Sequence, residues 1–328
     1  MPFSTATLSV PKSIDADGSM SRYLDAKPGV RTEEMQVLVL GLCKTGTSSI
    51  REALTILGYN TYHMRTAQEN SPRDFALWNQ AMRLQYPHLS KAYIPPPPPS
   101  PPSPPSPSPS FSSSSNTIQP PTLSDLEVLL APYTALTDLP AALFAPALTT
   151  AYPRAKIILT TRPFLSWRKS LLSTIWAWYR SPSYCALAYL DPYHIGPLQE
   201  YLRLFFEVFC GCDVGEEGLR ERYEEHNELV RQLAAERPEM FLEFDVREGW
   251  GPLCAFLGRE VPEEAFPRVN GEEAFHARKR AVRNRVLVRL VVGIVVVGLV
   301  AGVVWQLGVL WWGGVRWRRR HRVVGEEF

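Results

Sequence analysis

The stretch LVLGLCKTGTSSIREAL, residues 38–54, decides the fold. It includes the end of an apolar run, Met35–Leu40, whose branched side chains predict a strand that is buried on both faces. A turn bounded by Gly41 and Gly46 follows, and the apolar spacing over Thr47–Leu57 then predicts a helix. This order of strand, glycine turn and helix points main-chain N–H groups and a helix N-terminus at an anion. The sequence therefore predicts a phosphate-binding turn.

The side chains of the turn favour phosphate over magnesium–ATP. Lys44 supplies a mobile positive charge, and Thr47, Ser48 and Ser49 supply hydroxyl donors. The nucleoside-triphosphate loop has the pattern G-x-x-x-x-G-K-[ST], and here Thr47 stands where that pattern requires lysine. The nearest acidic candidate for holding magnesium, Asp138, lies in no clear magnesium-binding arrangement. The alternative is a glycine turn that only joins a strand to a helix.

Strands and helices alternate along the rest of the chain. Further strands are predicted at Tyr133–Thr137, Lys156–Thr161 and Phe241–Phe244. Further helices are predicted at 72–86, Ser124–Leu130, Pro140–Tyr152, Phe164–Trp178, Glu216–Glu236 and Gly249–Leu257. Such alternation predicts an α/β fold, a parallel sheet with helices on both faces.

Two stretches of unusual composition flank or interrupt the predicted domain, residues 35–275. Residues 1–34 are polar and are expected to form a flexible N-terminal segment. Residues 95–122 hold 13 prolines and 9 serines, too few apolar side chains to form a core. They are predicted to be disordered or polyproline-II-like. Two interpretations stay open: a ligand for Pro-binding modules, and a loop insertion that the fold tolerates.

A long apolar run follows the domain. Residues 290–315 carry no charge over 26 positions, and as a helix of ~39 Å they could cross a ~30 Å hydrocarbon core with tilt. A basic juxtamembrane segment, 276–289, precedes the run, and a short basic tail, 316–328, follows it. We expect a transmembrane helix that contacts membrane lipid, the alternative being a fully buried core helix.

Charge and cysteine content exclude several classes of protein. Residues 1–275 carry a net charge of −7 and residues 276–328 one of +9, so the body is no general nucleic-acid binder. Five cysteines without paired Cys-x-x-Cys spacings argue against a disulfide framework and a zinc site, although Cys210 and Cys212 leave a metal or redox use open. Residues 1–30 contain no signal-peptide core. We therefore expect a C-terminal anchor with the body in the cytosol and the short tail translocated.

Two motifs carry a resemblance to a known family. The turn is similar to the loop of the sulfotransferases, which reads Pro-Lys-[Ser/Thr]-Gly-Thr and holds the 5′-phosphosulfate of 3′-phosphoadenosine 5′-phosphosulfate (PAPS). The segment KIILTTRPFLSWRKS, residues 156–170, resembles a second sulfotransferase motif, in which an Arg after a strand and a Ser eight positions later bind the 3′-phosphate. Arg162 and Ser170 occupy these positions. Cys43 stands where many members of the family have Pro.

Further segments resemble the fungal-type branch of the family, whose members are often labelled only as P-loop nucleoside triphosphate hydrolases. These segments are YNTYHM (59–64), LTDLPAALF (136–144), YPRAKIILTTRPFLSW (152–167), YEEHNELVRQL (223–233), EFDVREGWGPLCAFLG (243–258) and VPEEAFPRVN (261–270). The resemblance covers about residues 35–275 except for the insertion.

The resemblance implies a PAPS-dependent sulfotransferase that needs no metal and transfers a sulfuryl group to a hydroxyl or amine of a small molecule or glycan. The cofactor-binding residues it implies are Gly41, Lys44, Thr45, Gly46, Thr47, Ser48, Ser49, Arg162 and Ser170. Lys44 would also act in catalysis. Asp138 stands in place of the catalytic His of the motif Lys-Thr-His-Leu-Pro and is the first candidate for the base; His63 is the second.

Each candidate base also has a structural interpretation, namely a helix cap for Asp138 and a packed histidine for His63. Two other functions stay open for the whole chain. One is a membrane-anchored scaffold with an inactive nucleotide pocket, and the other is a P-loop NTPase or kinase.

Overall fold

A computed structural model of the chain describes residues 31–86, 123–193, 195–269 and 271–322. The predicted Pro/Ser insertion and residues 1–30 of the predicted flexible segment lie outside these ranges. The chain divides into two compact units, Met1–Ala274 and Phe275–Phe328.

A parallel sheet of five strands organises the first unit. The strands are β1 (Val37–Val39), β2 (Thr61–Tyr62), β3 (Ala135–Leu136), β4 (Lys156–Thr160) and β5 (Phe241–Phe244). Their order across the sheet is β2-β3-β1-β4-β5, and all neighbouring pairs run parallel. The predicted α/β fold with a parallel sheet is confirmed.

Alternation along β1 shows that the sheet is covered on both faces. Val37 and Val39 pack with Ile50 of the first helix and with Leu253 of a late helix. Because side chains alternate along a strand, Leu38 points to the opposite face, where it is also fully buried. The strand predicted from branched residues is therefore the centre of a two-sided core.

Helices connect the strands, and their bounds follow the predictions in most places. Before β4 they are α1 (Thr47–Ile56), α2 (Met64–Glu69), α3 (Arg73–Gln85), α4 (Leu123–Leu130), α5 (Leu139–Leu143) and α6 (Ala145–Ala151). After β4 they are α7 (Phe164–Leu171), α8 (Ala177–Tyr179), α9 (Pro182–Leu190), α10 (Gly196–Cys210), α11 (Glu216–Ala234) and α12 (Trp250–Leu257). A π-helical turn, Leu172–Trp176, joins α7 to α8.

Several elements differ from the predictions. The single helix predicted at Pro140–Tyr152 is two helices that meet at Phe144. The second helix carries Pro146 in its first turn, a position that proline favours. Strand β2 and helices α2, α9 and α10 were not predicted from the sequence, and the helix predicted at Phe164–Trp178 is interrupted by the π-helical turn. β2 has only two residues, which is too short for a periodic signal.

The described residues of the second unit all lie in one long helix, α13 (Gly271–Arg322). Its segment Phe275–Trp312 has a mean hydropathy of 2.8 over its most apolar window and is 6% buried there, so by length and composition it can cross a membrane. The predicted span 290–315 and the basic segment 276–289 are parts of this one helix.

Candidate active site

The candidate site residues follow the carboxyl ends of the parallel strands. The glycine turn follows β1, His63 follows β2, Asp138 lies two residues beyond β3, and Arg162 lies two residues beyond β4. Because parallel strands end at one edge of the sheet, these residues share that edge. Open α/β sheets bind ligands outside the carboxyl ends of their strands, at the point where the strand order reverses. In this sheet that point lies at β1, because β2 and β3 lie on one side of it and β4 and β5 on the other.

The turn after β1 is seated closely against its neighbours. A Cβ on Gly41 would lie 2.1 Å from Oγ1 of Thr160, and a Cβ on Gly46 would lie 2.6 Å from Cγ1 of Val246. Gly46 has φ 108°, and Lys44 has φ 70°, a left-handed conformation that is uncommon for a residue with a side chain. The two glycines are therefore required by space and, at Gly46, by backbone conformation.

One hydroxyl of the turn is used inside the protein. Thr45 is 1% exposed, and its hydroxyl lies 2.6 Å from the carbonyl oxygen of Leu42 and 2.7 Å from the hydroxyl of Thr160. Thr45 was predicted among the cofactor-binding residues, and in the structure its side chain fixes the turn to β4. Any contact of Thr45 with a ligand is left to its main chain.

The start of α1 keeps donors for an anion. The N–H groups of Thr47 and Ser48 lie in the first turn of the helix. Main-chain N–H groups in a first turn have no carbonyl oxygen one turn earlier in the same helix to which they could donate. The hydroxyl of Ser49 accepts a hydrogen bond from the N–H of Val269 at 3.2 Å. Ser48 is the most exposed of the three predicted hydroxyl residues.

Helix α7 and the segment before it are fastened to the turn. The indole N–H of Trp167 donates to the carbonyl oxygen of Cys43 at 2.8 Å, and Nη1 of Arg162 donates to the carbonyl oxygen of Lys44 at 3.3 Å. These bonds bring the two predicted phosphate-binding segments together. Burial, and then the charge of Asp138, raise the pKa of the Cys43 thiol, so it stays neutral.

Helix α11 supports the strand ends through two residues to which the sequence assigned no role. The hydroxyl of Tyr223 accepts from the N–H of Arg162 at 3.1 Å and donates to its carbonyl oxygen at 2.8 Å. Nε2 of His226 lies 2.8 Å from the carbonyl oxygen of Leu40, and since a carbonyl only accepts, this nitrogen carries the proton. Desolvation lowers the pKa of His226. Both residues lie in the segment 223–233, which resembles the family but gave no role for either side chain.

Ser170 lies half-buried near the end of α7, two residues before the π-helical turn. Its carbonyl oxygen accepts from the hydroxyl of Thr174 at 2.5 Å. π-helical turns inside α-helices are frequent at functional sites. The π-helical turn begins two residues after the predicted 3′-phosphate contact.

The two candidate bases form a pair. Nε2 of His63 lies 3.2 Å from Oδ2 of Asp138, and their side chains are 7% and 9% exposed. Nδ1 of His63 accepts from the N–H of Arg65 at 2.9 Å and caps α2. Asp138 precedes α5, yet its side chain makes no capping hydrogen bond, so the capping interpretation of Asp138 is wrong.

The backbone of Asp138 is strained. Its φ of 74° and ψ of −162° fall in a region that is essentially restricted to glycine and costs of order 1–3 kcal/mol. Residues held there cluster at active sites and ligand clamps.

Residues 36–275 match the sequence profile of the sulfotransferase domain. The chain belongs to the sulfotransferase family. It is 31% identical over 304 residues to the Ava biosynthesis cluster protein M of Aspergillus versicolor, an alignment that covers 89% of this chain and 100% of the relative. Among residues 31–86, 123–193, 195–269 and 271–322 of this family member, no three His, Cys, Asp or Glu side chains are grouped to hold a metal ion.

Proposed function

We propose that the protein is a PAPS-dependent sulfotransferase. The observation that carries the proposal is the contact of 3.3 Å between Nη1 of Arg162 and the carbonyl oxygen of Lys44, which joins the two motifs that are predicted to bind phosphate. The residues present fit the donor. Lys44 and the N–H groups at the start of α1 would hold the 5′-phosphosulfate, while Arg162 and Ser170 would hold the 3′-phosphate.

Electrostatic stabilisation is the main contribution of the turn. Negative charge develops on the bridging oxygen of the leaving phosphate as the sulfuryl group departs. The main-chain N–H groups at the start of α1 are fixed in advance and would need little reorganisation to stabilise that charge, and the Lys44 ammonium would add its positive charge. The acceptor must lose a proton, and the pair formed by His63 and Asp138 supplies the base.

We propose a small-molecule hydroxyl or amine as the acceptor. His63 and Asp138 are almost fully buried, so an acceptor has to reach into an enclosed site. The relative from Aspergillus versicolor is named for a biosynthesis cluster, which favours a metabolite over a glycan chain.

We also propose that α13 anchors the enzyme in a membrane with the first unit in the cytosol. The length and apolar composition of α13 support the anchor. Cys185 and Cys212 are exposed free thiols, which favours a reducing compartment for the first unit.

Transfer of labelled sulfate tests this function. The full-length protein in detergent micelles is incubated with [³⁵S]PAPS and a panel of phenols, alcohols and amines, and the products are separated. The account expects at least one labelled product, which is reduced strongly in Lys44→Ala. Binding of 3′,5′-bisphosphoadenosine (PAP) without transfer to any acceptor would favour the inactive scaffold.

A further inference from the structure

We propose that the guanidinium group of Arg65 binds a carboxylate group of the acceptor. The proposal rests on the proposed sulfuryl transfer and names the chemical class of acceptor that the site would take. It follows from two N–H groups of Arg65 that are buried and that have no partner within the described part of the chain.

Arg65 lies close to the edge of the sheet at which the strands end. It is the second residue of α2, and its main-chain N–H donates to Nδ1 of His63 at 2.9 Å. Its side chain reaches α1, where Nη1 lies 2.8 Å from Oε1 of Glu52. Glu52 comes four residues after Ser48, one turn further along the same face of α1. The guanidinium group of Arg65 therefore lies beside the candidate site, between α1 and α2.

The other side of this guanidinium group is unused in the ranges that the structure describes. Nε and Nη2 of Arg65 are both buried, and neither has a hydrogen-bond partner there. These two nitrogens form one edge of a planar group, so their N–H bonds point in the same direction. We refer to them as the Arg65 fork. Because buried donors are normally satisfied, the Arg65 fork indicates a ligand that offers two acceptor oxygens.

Other arginines of this protein use the same edge to hold carboxylates. Nε and Nη2 of Arg231 donate to the two carboxylate oxygens of Glu243 at 3.0 and 2.9 Å. Arg203 holds Glu200 through the same two nitrogens, each at 2.8 Å. The planar guanidinium group matches a carboxylate in both spacing and direction. The Arg65 fork has the same two donors and is free to hold a carboxylate in this way.

The charge around the Arg65 fork also favours an anion. Nη1 of Arg51 lies 3.3 Å from Oε1 of Glu52, the same oxygen that Arg65 contacts. One carboxyl group cannot balance two guanidinium groups, so an excess of positive charge remains. Nε of Arg51 is also buried and has no partner among the residues described. A carboxylate ligand would balance this excess and accept from the Arg65 fork.

The position of the Arg65 fork favours the acceptor over PAPS as the source of the carboxylate or other anion. Arg162, the predicted contact of the 3′-phosphate, follows β4, whereas Arg65 follows β2. The order β2-β3-β1-β4-β5 puts these two strands on opposite sides of β1. Arg65 is instead hydrogen-bonded to His63, one of the two candidate bases. An acceptor held by the Arg65 fork could therefore present its hydroxyl or amine to the base.

Two substitutions separate the charge of Arg65 from its fork. Arg65→Lys keeps a positive charge that can pair with Glu52, but the ammonium group has no planar pair of donors. Arg65→Met keeps an apolar stem and removes the charge. Arg231→Lys is the matched control, because the fork of Arg231 is already filled by Glu243. The lysine variant also covers the case in which Arg65→Met fails to fold.

Binding of paired probes to the full-length protein in detergent micelles tests the proposal. The probes are benzoate, phenylacetate and cinnamate, each compared with its neutral amide, and ligand-observed NMR gives the dissociation constants with and without saturating PAP. We expect at least one carboxylate to bind about 10-fold or more tightly than its amide, the usual value of one charge-assisted hydrogen bond. Arg65→Lys and Arg65→Met should remove this difference, and Arg231→Lys should retain it.

Two results would overturn the proposal for Arg65. One is equal affinity of every carboxylate and its amide, or a preference for the carboxylate that survives in Arg65→Met. The other is loss of carboxylate binding when PAP is added, which would place the anion in the donor pocket and not in the acceptor site. Failure of the proposed function looks different, because the wild-type protein in the same samples would then bind no PAP.

Discussion

The indole N–H of Trp167 and the carbonyl oxygen of Cys43 form a buried hydrogen bond of 2.8 Å. Cys43 belongs to the turn that carries Lys44, and Trp167 belongs to the helix that carries Ser170. The bond therefore fixes the distance between the two segments that would hold the two ends of PAPS.

Replacing Trp167 tests this link. Trp167→Phe leaves the buried carbonyl of Cys43 without its donor, which should cost about 1–3 kcal/mol in the free energy of unfolding and weaken PAP binding. Urea unfolding and calorimetry of the full-length protein measure both effects. The half-buried Trp176 is the control, and Trp176→Phe should change PAP affinity little. Equal effects of the two substitutions on PAP affinity would show that the indole bond does not shape the site.

Gly41 should tolerate no side chain. A Cβ there would lie 2.1 Å from Oγ1 of Thr160 and 2.4 Å from its carbonyl oxygen, so Gly41→Ala should destabilise the protein by about 1–3 kcal/mol. Gly251 is the matched control. It lies inside α12 with nothing within 4 Å of an added Cβ, and Gly251→Ala should raise stability by up to ~1 kcal/mol. Thermal unfolding of both variants provides the comparison, and a Gly41→Ala protein of wild-type stability would contradict the close contact.

His226 should make stability depend on pH. Desolvation lowers the pKa of the folded residue below its ordinary value of 6.5, so between the two values only the unfolded state is protonated. The free energy of unfolding should therefore fall as the pH drops below about 6.5. His226→Gln keeps an N–H for the carbonyl of Leu40 but does not titrate, and its unfolding curve should lose less stability between pH 7.5 and 5.5. The same loss in both proteins would exclude His226 as the source.

Local sequence was enough to predict four of the five strands and the glycine turn between β1 and α1. The branched run before Gly41 and the apolar spacing after Gly46 each report on a few neighbouring residues, and the structure places β1 and α1 within one or two residues of the predicted bounds there. The helix predicted at 72–86 is α3, Arg73–Gln85, and the strand predicted at Phe241–Phe244 has the same bounds in the structure.

Contacts between distant segments could not be predicted in this way. His63 and Asp138 were two competing candidates in the sequence, and only the order of β2 and β3 in the sheet shows that they meet. The role of Thr45 depends on Thr160, and that of Tyr223 on Arg162, each pair joined through tertiary packing. Such pairings leave no periodicity within a single segment.

The orientation of the anchor is tested in intact microsomes. Added protease should digest the first unit, Met1–Ala274, because the proposal places it in the cytosol. Immunoblotting with an N-terminal tag measures the loss. A first unit that is protected until detergent is added would lie in the lumen, against the proposed orientation.

The central claim, a pocket for PAPS, is tested most directly by calorimetric titration of the full-length protein with PAP and with magnesium–ATP. The account predicts that PAP binds, that magnesium–ATP does not compete, and that Arg162→Ala weakens PAP binding by about 1.5–3 kcal/mol. The control is Arg154→Ala, at an exposed arginine before the amino end of β4, and it should bind PAP like the wild type. Binding of magnesium–ATP in place of PAP, or an unchanged PAP affinity in Arg162→Ala, would contradict the account.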